Sequence, residues 1–214
     1  KENSLSILAM HPHGIIPLHA LLWGGFCTQM MPEFYGVGAS TSIALRLPVL
    51  RQILRFMGVV STQKKALIHS MQVEDKGLLI LPGGVAEIFL SHRRRTVSNV
   101  GNVRDVRQGN LQSIKAKRYG LMKLSLQTGA AITPAYVFGA TDLFDQLAPV
   151  TGDKRREDAS IHEHSITFLD RISEVMESFS RRMKGGITLF WGKFYLPIPY
   201  TPKLTLCLGD PIYP

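Results

Sequence analysis

The chain predicts an α/β domain with a mostly parallel central sheet flanked by helices, on three observations. Short apolar runs at Leu5–Met10, Gly77–Leu81 and Ala131–Phe138 have strand length and little polar alternation, as strands covered on both faces do. Each run ends on a chain breaker: Pro12, Pro82-Gly83-Gly84 and Gly139. Segments with apolar residues at helical spacing lie between them, so strands and helices alternate along the chain.

In order, residues 4–10 read as a buried strand, followed by the loop His11-Pro12-His13-Gly14. Residues 15–30 are apolar with Pro17 near the start, where a helix tolerates proline. Residues 34–38 read as a short strand. Residues 46–57 mix Leu, Ile and Phe with Arg46, Arg51 and Arg55 at helical spacing, a face suited to the core or to a membrane surface. Val59-Val60 gives a strand, 62–73 a helix with a polar face, and 77–81 a central parallel strand entering the glycine loop. Residues 118–128 form a helix stopped by Gly129, then 131–138 the next strand. Residues 160–183 suit a second long helix, and 187–208 alternates apolar runs with prolines, as edge strands and loops do. Residues 92–117 are basic and weakly periodic and read as a long surface loop or insertion.

The 214 residues suffice for one domain, 1–214. Charged residues make up 19%, below the usual level of about 25%, while 45% are hydrophobic, which excludes a disordered chain. A formal net charge of +9 favours anionic partners: a phospholipid surface, nucleotide phosphates or nucleic acid. Nucleic acid is set aside, because no zinc-finger spacing or RNA-recognition signature occurs. Cys27 and Cys207 form no C-x-x-C and read as buried small hydrophobes. The chain opens without Met, lacks a signal peptide or bilayer-length apolar stretch, and ends just after a strand-like run. It therefore reads as a piece of a longer protein, with membrane segments expected outside it.

The chemistry concentrates at strand ends. His11 and His13 stand where a strand gives way to a loop, with Pro12 stiffening it and Gly14 permitting close approach. A histidine so held suits a general base, a hydrogen-bonded structural role, or, paired with its neighbour, a metal site. His69, His92, His162 and His164 are the later ligand candidates, but no H-E-x-x-H occurs. Gly83 and Gly84 leave backbone N–H groups able to meet an oxyanion or phosphate. Glu87 follows, placed to orient His13, bind an acceptor hydroxyl or cap a helix. Arg93, Arg94 and Arg95, with Lys115, Lys117 and Arg118, suit the phosphates of a large anionic ligand, lipid headgroups or a solvated face. Asp142 sits at a further strand exit. No G-x-S-x-G elbow, Walker A loop or complete G-x-G-x-x-G is present, which removes the usual support for a serine hydrolase, a P-loop NTPase or a nucleotide oxidoreductase.

In this order the motifs resemble the type-2 diacylglycerol acyltransferase family, which groups diacylglycerol, monoacylglycerol and wax acyltransferases. Four blocks carry the resemblance: His11–Gly14; Leu81–Glu87; Lys117–Gly120 through Thr128–Ala130 and Pro134–Gly139; and Pro199–Pro202 through Gly209–Ile212. The wording around them is closest to algal or other protist members. The resemblance implies a glycerolipid acyltransferase-like α/β fold lacking here its N-terminal membrane hairpin and C-terminal end. It implies an acyl-CoA-dependent O-acyltransferase that moves a fatty acyl group to the free hydroxyl of diacylglycerol, forming triacylglycerol. The co-substrate would be acyl-CoA, with no cofactor and no metal. The place would be the cytosolic face of the endoplasmic reticulum membrane and the lipid droplet. The same chemistry on monoacylglycerol, a fatty alcohol or a sterol is the alternative, and a non-catalytic lipid-binding relative the second. His13 matches the base of the wider superfamily's His-x4-Asp motif, but Leu18 stands where the aspartate would. Glu87 is then the candidate carboxylate behind His13. His11 and Gly14 would shape the site; Gly83 and Gly84 would offer backbone donors to the oxyanion; Pro12 and Pro82 would line the substrate; Arg93, Arg94, Arg95 and Arg118 would hold phosphates. Two departures stand out: Ala140 in place of an acidic residue, with Asp142 two positions on, and the length of the 92–117 segment.

Overall fold

The structure, a computed structural model, describes residues 5–30, 36–84, 87–88, 114, 118–146, 175, 178, 182 and 188–214. Its centre is a six-stranded sheet. In chain order the strands are β1 (Ser6–His11), β2 (Gly36–Ser40), β3 (Val60–Ser61), β4 (Gly77–Ile80), β5 (Ala131–Phe138) and, in this sheet, β8 (Thr205–Leu208). Their spatial order is β3-β2-β4-β1-β5-β8. The first five run parallel, and β8 pairs antiparallel with β5. A separate antiparallel pair joins β6 (Asp145–Gln146) and β7 (Phe190–Trp191). The helices described over their whole length are α1 (Leu18–Met30), α2 (Leu50–Phe56), α3 (Lys64–Gln72) and α4 (Tyr119–Thr128). The mostly parallel α/β architecture is the one the sequence predicts.

β1 lies at the middle of the sheet because it has no polar face. Leu8 and Met10 join Leu79, Ala135 and Val137 on one side, beneath Ala20 and Trp23 of α1. Ile7 and Ala9 join Leu78 and Ile132 on the other, against Leu67 and Met71 of α3 and Leu124 of α4. Burying each large apolar side chain contributes about 1.5–3 kcal/mol. Pro12 then ends the strand, since it has no N–H to extend the ladder.

Several boundaries differ from those the sequence predicts. α1 begins at Leu18, because the turn at Gly14, with φ of +65°, must first redirect the chain. The 46–57 pattern resolves into a 3-10 turn at Ala44–Arg46 and the short α2, with Pro48 interrupting it. α3 starts two residues late, at Lys64, after an extended Gln63. α4 stops at Gly129, which takes the left-handed conformation with φ of 71°. The tail folds back over β5: Gly209 N–H donates to the Pro134 carbonyl and Ile212 bridges Ile132. Cys207 corrects an expectation: it is an exposed free thiol, because among the described residues β8 is an edge strand with only β5 beside it. The 92–117 segment lies outside the described residues except Ile114, as does most of 160–183, where Val175, Ser178 and Arg182 are helical. The side chain of Cys27 is likewise outside them.

Candidate active site

After β1 the chain departs toward β2 on one side of the sheet; after β5 it departs toward β8 on the other. Open α/β sheets hold ligands in the crevice at such a reversal, beyond the carboxyl ends of the strands. Here that crevice is lined by the histidine loop after β1, the glycine loop after β4, and the turn after β5. Gly14 and Ala140 approach closely across it: a Cβ on Gly14 would meet the Ala140 carbonyl oxygen at 3.3 Å.

Glu87 joins the first two loops. Its carboxylate, 0% exposed, accepts a hydrogen bond from His11 Nδ1 at 2.8 Å and from the backbone N–H of His13 at 2.9 Å. The carboxylate sought behind His13 therefore stands behind the ring of His11 and grips His13 through its main chain. The His13 ring is held locally, with Nδ1 2.8 Å from the Gly14 carbonyl oxygen. A carbonyl only accepts, so Nδ1 carries the hydrogen and Nε2 carries a lone pair. Burial pushes the His13 pKa below its ordinary value, against the Gly14 hydrogen bond and the charge of Glu87, which both raise it. The imidazole is therefore neutral near pH 7, in the state a general base requires.

The glycine loop is built around Glu87. Gly83 is buried under its side chain, and Gly84 takes φ of +53°. Gly84 N–H donates to the Leu81 carbonyl at 3.3 Å, and Glu87 N–H to the Gly84 carbonyl at 3.0 Å. The Gly84 amide is thus committed within the turn. Pro82 sits in the same turn, half-buried. Arg118, just before α4, turns its guanidinium to the Gly83 carbonyl, so it braces this loop. Arg93, Arg94 and Arg95 lie outside the described residues, as do Lys115, Lys117, His92, His162 and His164. His69 is exposed and lies 3.4 Å from Glu74. Among the described residues, no three His, Cys, Asp or Glu side chains are grouped to hold a metal ion.

Three neighbours escaped sequence reasoning. Tyr136 stands directly opposite His11 in the β1–β5 register. Its phenol pKa is raised by partial burial and by the charges of Glu87 and Asp142. Gln146 of β6 donates to the Ile88 carbonyl, anchoring the turn that carries Glu87. His19, near the start of α1, is buried beside Gly14 and His13. The signal for His19 was present: it is the only titratable imidazole or charged group in the thirteen residues of α1.

Fold and crevice together define an α/β protein whose site is assembled from loops at a reversal of strand order. Comparison with known sequences gives the family: residues 1–213 match the family model described as diacylglycerol acyltransferase, and the chain belongs to that family. It is 29% identical to mouse diacylglycerol O-acyltransferase 2-like protein 6, over 96% of this chain and 56% of that protein. It is 25% identical to zebrafish diacylglycerol O-acyltransferase 2, over 96% of this chain and 52% of the relative. Bovine 2-acylglycerol O-acyltransferase 1 is 26% identical over 96% of this chain and 55% of its own length. The chain thus spans about half the length of these curated relatives. No solved structure matches it.

Proposed function

We propose that this chain carries the catalytic centre of an acyl-CoA-dependent O-acyltransferase that converts diacylglycerol to triacylglycerol. Membership of the diacylglycerol acyltransferase family supports the reaction class. The observation that carries the mechanism is the His13 ring, whose Nδ1 is committed to the Gly14 carbonyl and whose Nε2 is left as a base. The acceptor hydroxyl oxygen attacks the thioester carbonyl carbon as its proton passes to His13 Nε2. The tetrahedral intermediate collapses with cleavage of the C–S bond. The departing CoA thiolate takes the proton back from His13, so the enzyme ends as it began. The Gly83 amide is the candidate donor to the oxyanion, a contact worth about 3 kcal/mol where it has been removed elsewhere. His11 and Glu87 act as positioning residues, fixing the loop from which His13 projects. Arg93, Arg94 and Arg95 are assigned to the CoA phosphates or the membrane by charge alone.

The site meets a lipid substrate through a membrane surface, in our reading. No helix among the described residues is long and apolar enough to cross a membrane. Yet α1 carries no charged residue, and Leu22 and Phe26 on it are about half exposed. α2 exposes Ile53 and Phe56 on one side, with Phe56 94% exposed, and Val49 just before it is exposed too. The residue after α2 reaches α1: a Cβ on Gly24 would meet Met57 at 3.8 Å. Between residues 34 and 73 there is no acidic side chain, while Arg46, Arg51, Arg55, Lys64 and Lys65 are basic. An apolar stripe with basic neighbours suits anionic headgroups. We place it on the cytosolic face of the endoplasmic reticulum membrane or on the lipid droplet.

The test is acyl transfer from labelled acyl-CoA in membranes carrying the protein, with diacylglycerol, monoacylglycerol, a fatty alcohol and a sterol offered together. Triacylglycerol as the main product is expected, and His13→Ala should lower its rate by about 10²–10⁴-fold. Near-normal turnover in His13→Ala overturns the base assignment. Preference for monoacylglycerol would favour a second acceptor reading, which the similarity to a 2-acylglycerol acyltransferase supports.

A further inference from the structure

His19 is the most conspicuous polar group that the mechanism above leaves unused. It sits in the first turn of α1 among Leu18, Ala20 and Leu21, with an exposure of 0%. Neither of its ring nitrogens has a partner in good hydrogen-bond geometry among the described residues, although the Pro12 carbonyl lies near enough to favour its protonated form. Buried polar groups are almost always satisfied, and leaving one bare is costly, so each exception calls for a reason. Its ring lies against the active-site turn: Cε1 is 3.9 Å from where a Cβ on Gly14 would be. It is also near enough to His13 for a charge on one to oppose a charge on the other. Burial chiefly, and that repulsion, push the His19 pKa down to about 4, against the Pro12 carbonyl, which raises it. At neutral pH the ring therefore carries one N–H and one lone pair, in the neighbourhood of His13.

The chemistry of the possible occupants separates them. A thioester or ester carbonyl only accepts, so it can meet a donor on His19 but offers nothing to His13 Nε2. A hydroxyl donates one hydrogen and accepts through its oxygen, so it can satisfy both imidazoles at once. We propose that His19 binds the acyl acceptor's hydroxyl oxygen through its ring N–H, holding that oxygen while the hydroxyl hydrogen points at His13 Nε2. This rests on the acyltransferase reading of the site and adds a residue that selects and orients the acceptor alcohol.

The experiment compares His19→Leu, which fills similar volume without nitrogens, with His19→Asn, which keeps a donor and an acceptor. Each is assayed for the KM of diacylglycerol, the KM of acyl-CoA, the thermal midpoint, and the rise in midpoint caused by short-chain diacylglycerol without acyl-CoA. His19→Leu is expected to raise the diacylglycerol KM about tenfold or more. It should leave the acyl-CoA KM within about twofold and the midpoint of the free protein no lower than wild type, because a bare buried imidazole has been removed. The diacylglycerol-induced rise should shrink, and His19→Asn should recover part of both effects. An unchanged diacylglycerol KM and an unchanged induced rise in His19→Leu overturn the proposal. A lowered midpoint with all kinetic constants failing together, and no recovery by Asn, also overturns it, in favour of a purely structural histidine. If wild type shows the His19-dependent rise but transfers no acyl group, the acyltransferase reading fails while the hydroxyl site stands. A wild type that neither responds to diacylglycerol nor acylates it overturns both.

Discussion

Glu87 occupies the space that a side chain on Gly83 would need. A Cβ added at Gly83 would fall 1.7 Å from Glu87 Cδ and 2.0 Å from its Oε2, far inside any tolerable contact. The missing side chain after β4 and the buried carboxylate that holds both histidine positions after β1 are thus a single device. A glycine in such a loop is commonly assigned to backbone flexibility; here Gly83 is required for room.

Gly83→Ala should therefore act on the histidine loop from a distance. The displaced carboxylate loses the His11 ring and the His13 amide together, two hydrogen bonds to a charged group worth about 1.5–3 kcal/mol each. We expect a clear drop in thermal midpoint and loss of most acyl transfer. Glu87→Gln keeps the volume but weakens the His11 pair, so it should lie between wild type and Gly83→Ala in both. Combining Gly83→Ala with Glu87→Ala removes the clash, and the double variant should be more stable than the sum of its single changes. Strict additivity in denaturant titrations of the four proteins would refute the coupling.

The two buried imidazoles set two acid limbs with different readouts. His13, with its pKa lowered mainly by burial, stays neutral below the ordinary histidine range. The kcat/KM profile should therefore reach half its plateau below pH 6.5. A half-maximal rate above pH 6.5 would contradict that environment. His19 bears on stability. Its folded pKa of about 4 lies below the 6.5 of an unfolded histidine, so between these values the unfolded chain binds more protons. The contribution is complete above about pH 6.5 and is lost as pH falls toward about 4, by on the order of 3 kcal/mol. In His19→Leu that part of the acid loss, followed by urea unfolding at stepped pH, should disappear.

Much of this was legible in the sequence, and the reasons divide cleanly. β1, β4, β5 and α4 announced themselves because uninterrupted apolar runs and glycine stops are local signals. The pairing of Glu87 with His11 rather than His13 was not, since it depends on which loop ends lie over which strand, 76 residues apart. Alternation along β1 places His11 on the side of Ile7 and Ala9, and only the sheet order shows that the β4 loop passes there. Arg118 looked like a phosphate ligand by charge; its contact with the Gly83 carbonyl is again a long-range result. His19 lay in plain view but matched no motif, and a lone histidine in an apolar helix carries no message until its neighbours are known.

The exposed faces of α1 and α2 give the last prediction, and it turns on magnitudes. Ile53 and Phe56 recur at i and i+3, so they project from one side of α2, with the exposed Val49 just before the helix, while Leu54 is its buried residue. Arg51 and Arg55 are exposed away from that stripe, with long apolar stems that let their heads reach a headgroup layer. Transfer of a side chain such as Phe56 or Ile53 from water into lipid contributes about 1.5–3 kcal/mol, and each cation near an anionic surface about 1 kcal/mol. Ile53→Ser with Phe56→Ser should thus weaken binding to vesicles of mixed phosphatidylcholine and phosphatidylserine by a hundredfold or so, at any salt concentration. Arg51→Gln with Arg55→Gln should cost about tenfold or more on anionic vesicles at low salt, little in high salt, and little on vesicles without anionic lipid. Flotation of each variant, with circular dichroism to confirm folding, separates these cases. If the serine pair floats as well as wild type, the α2 stripe does not lie against the bilayer, and another part of the protein must carry the site to its lipid.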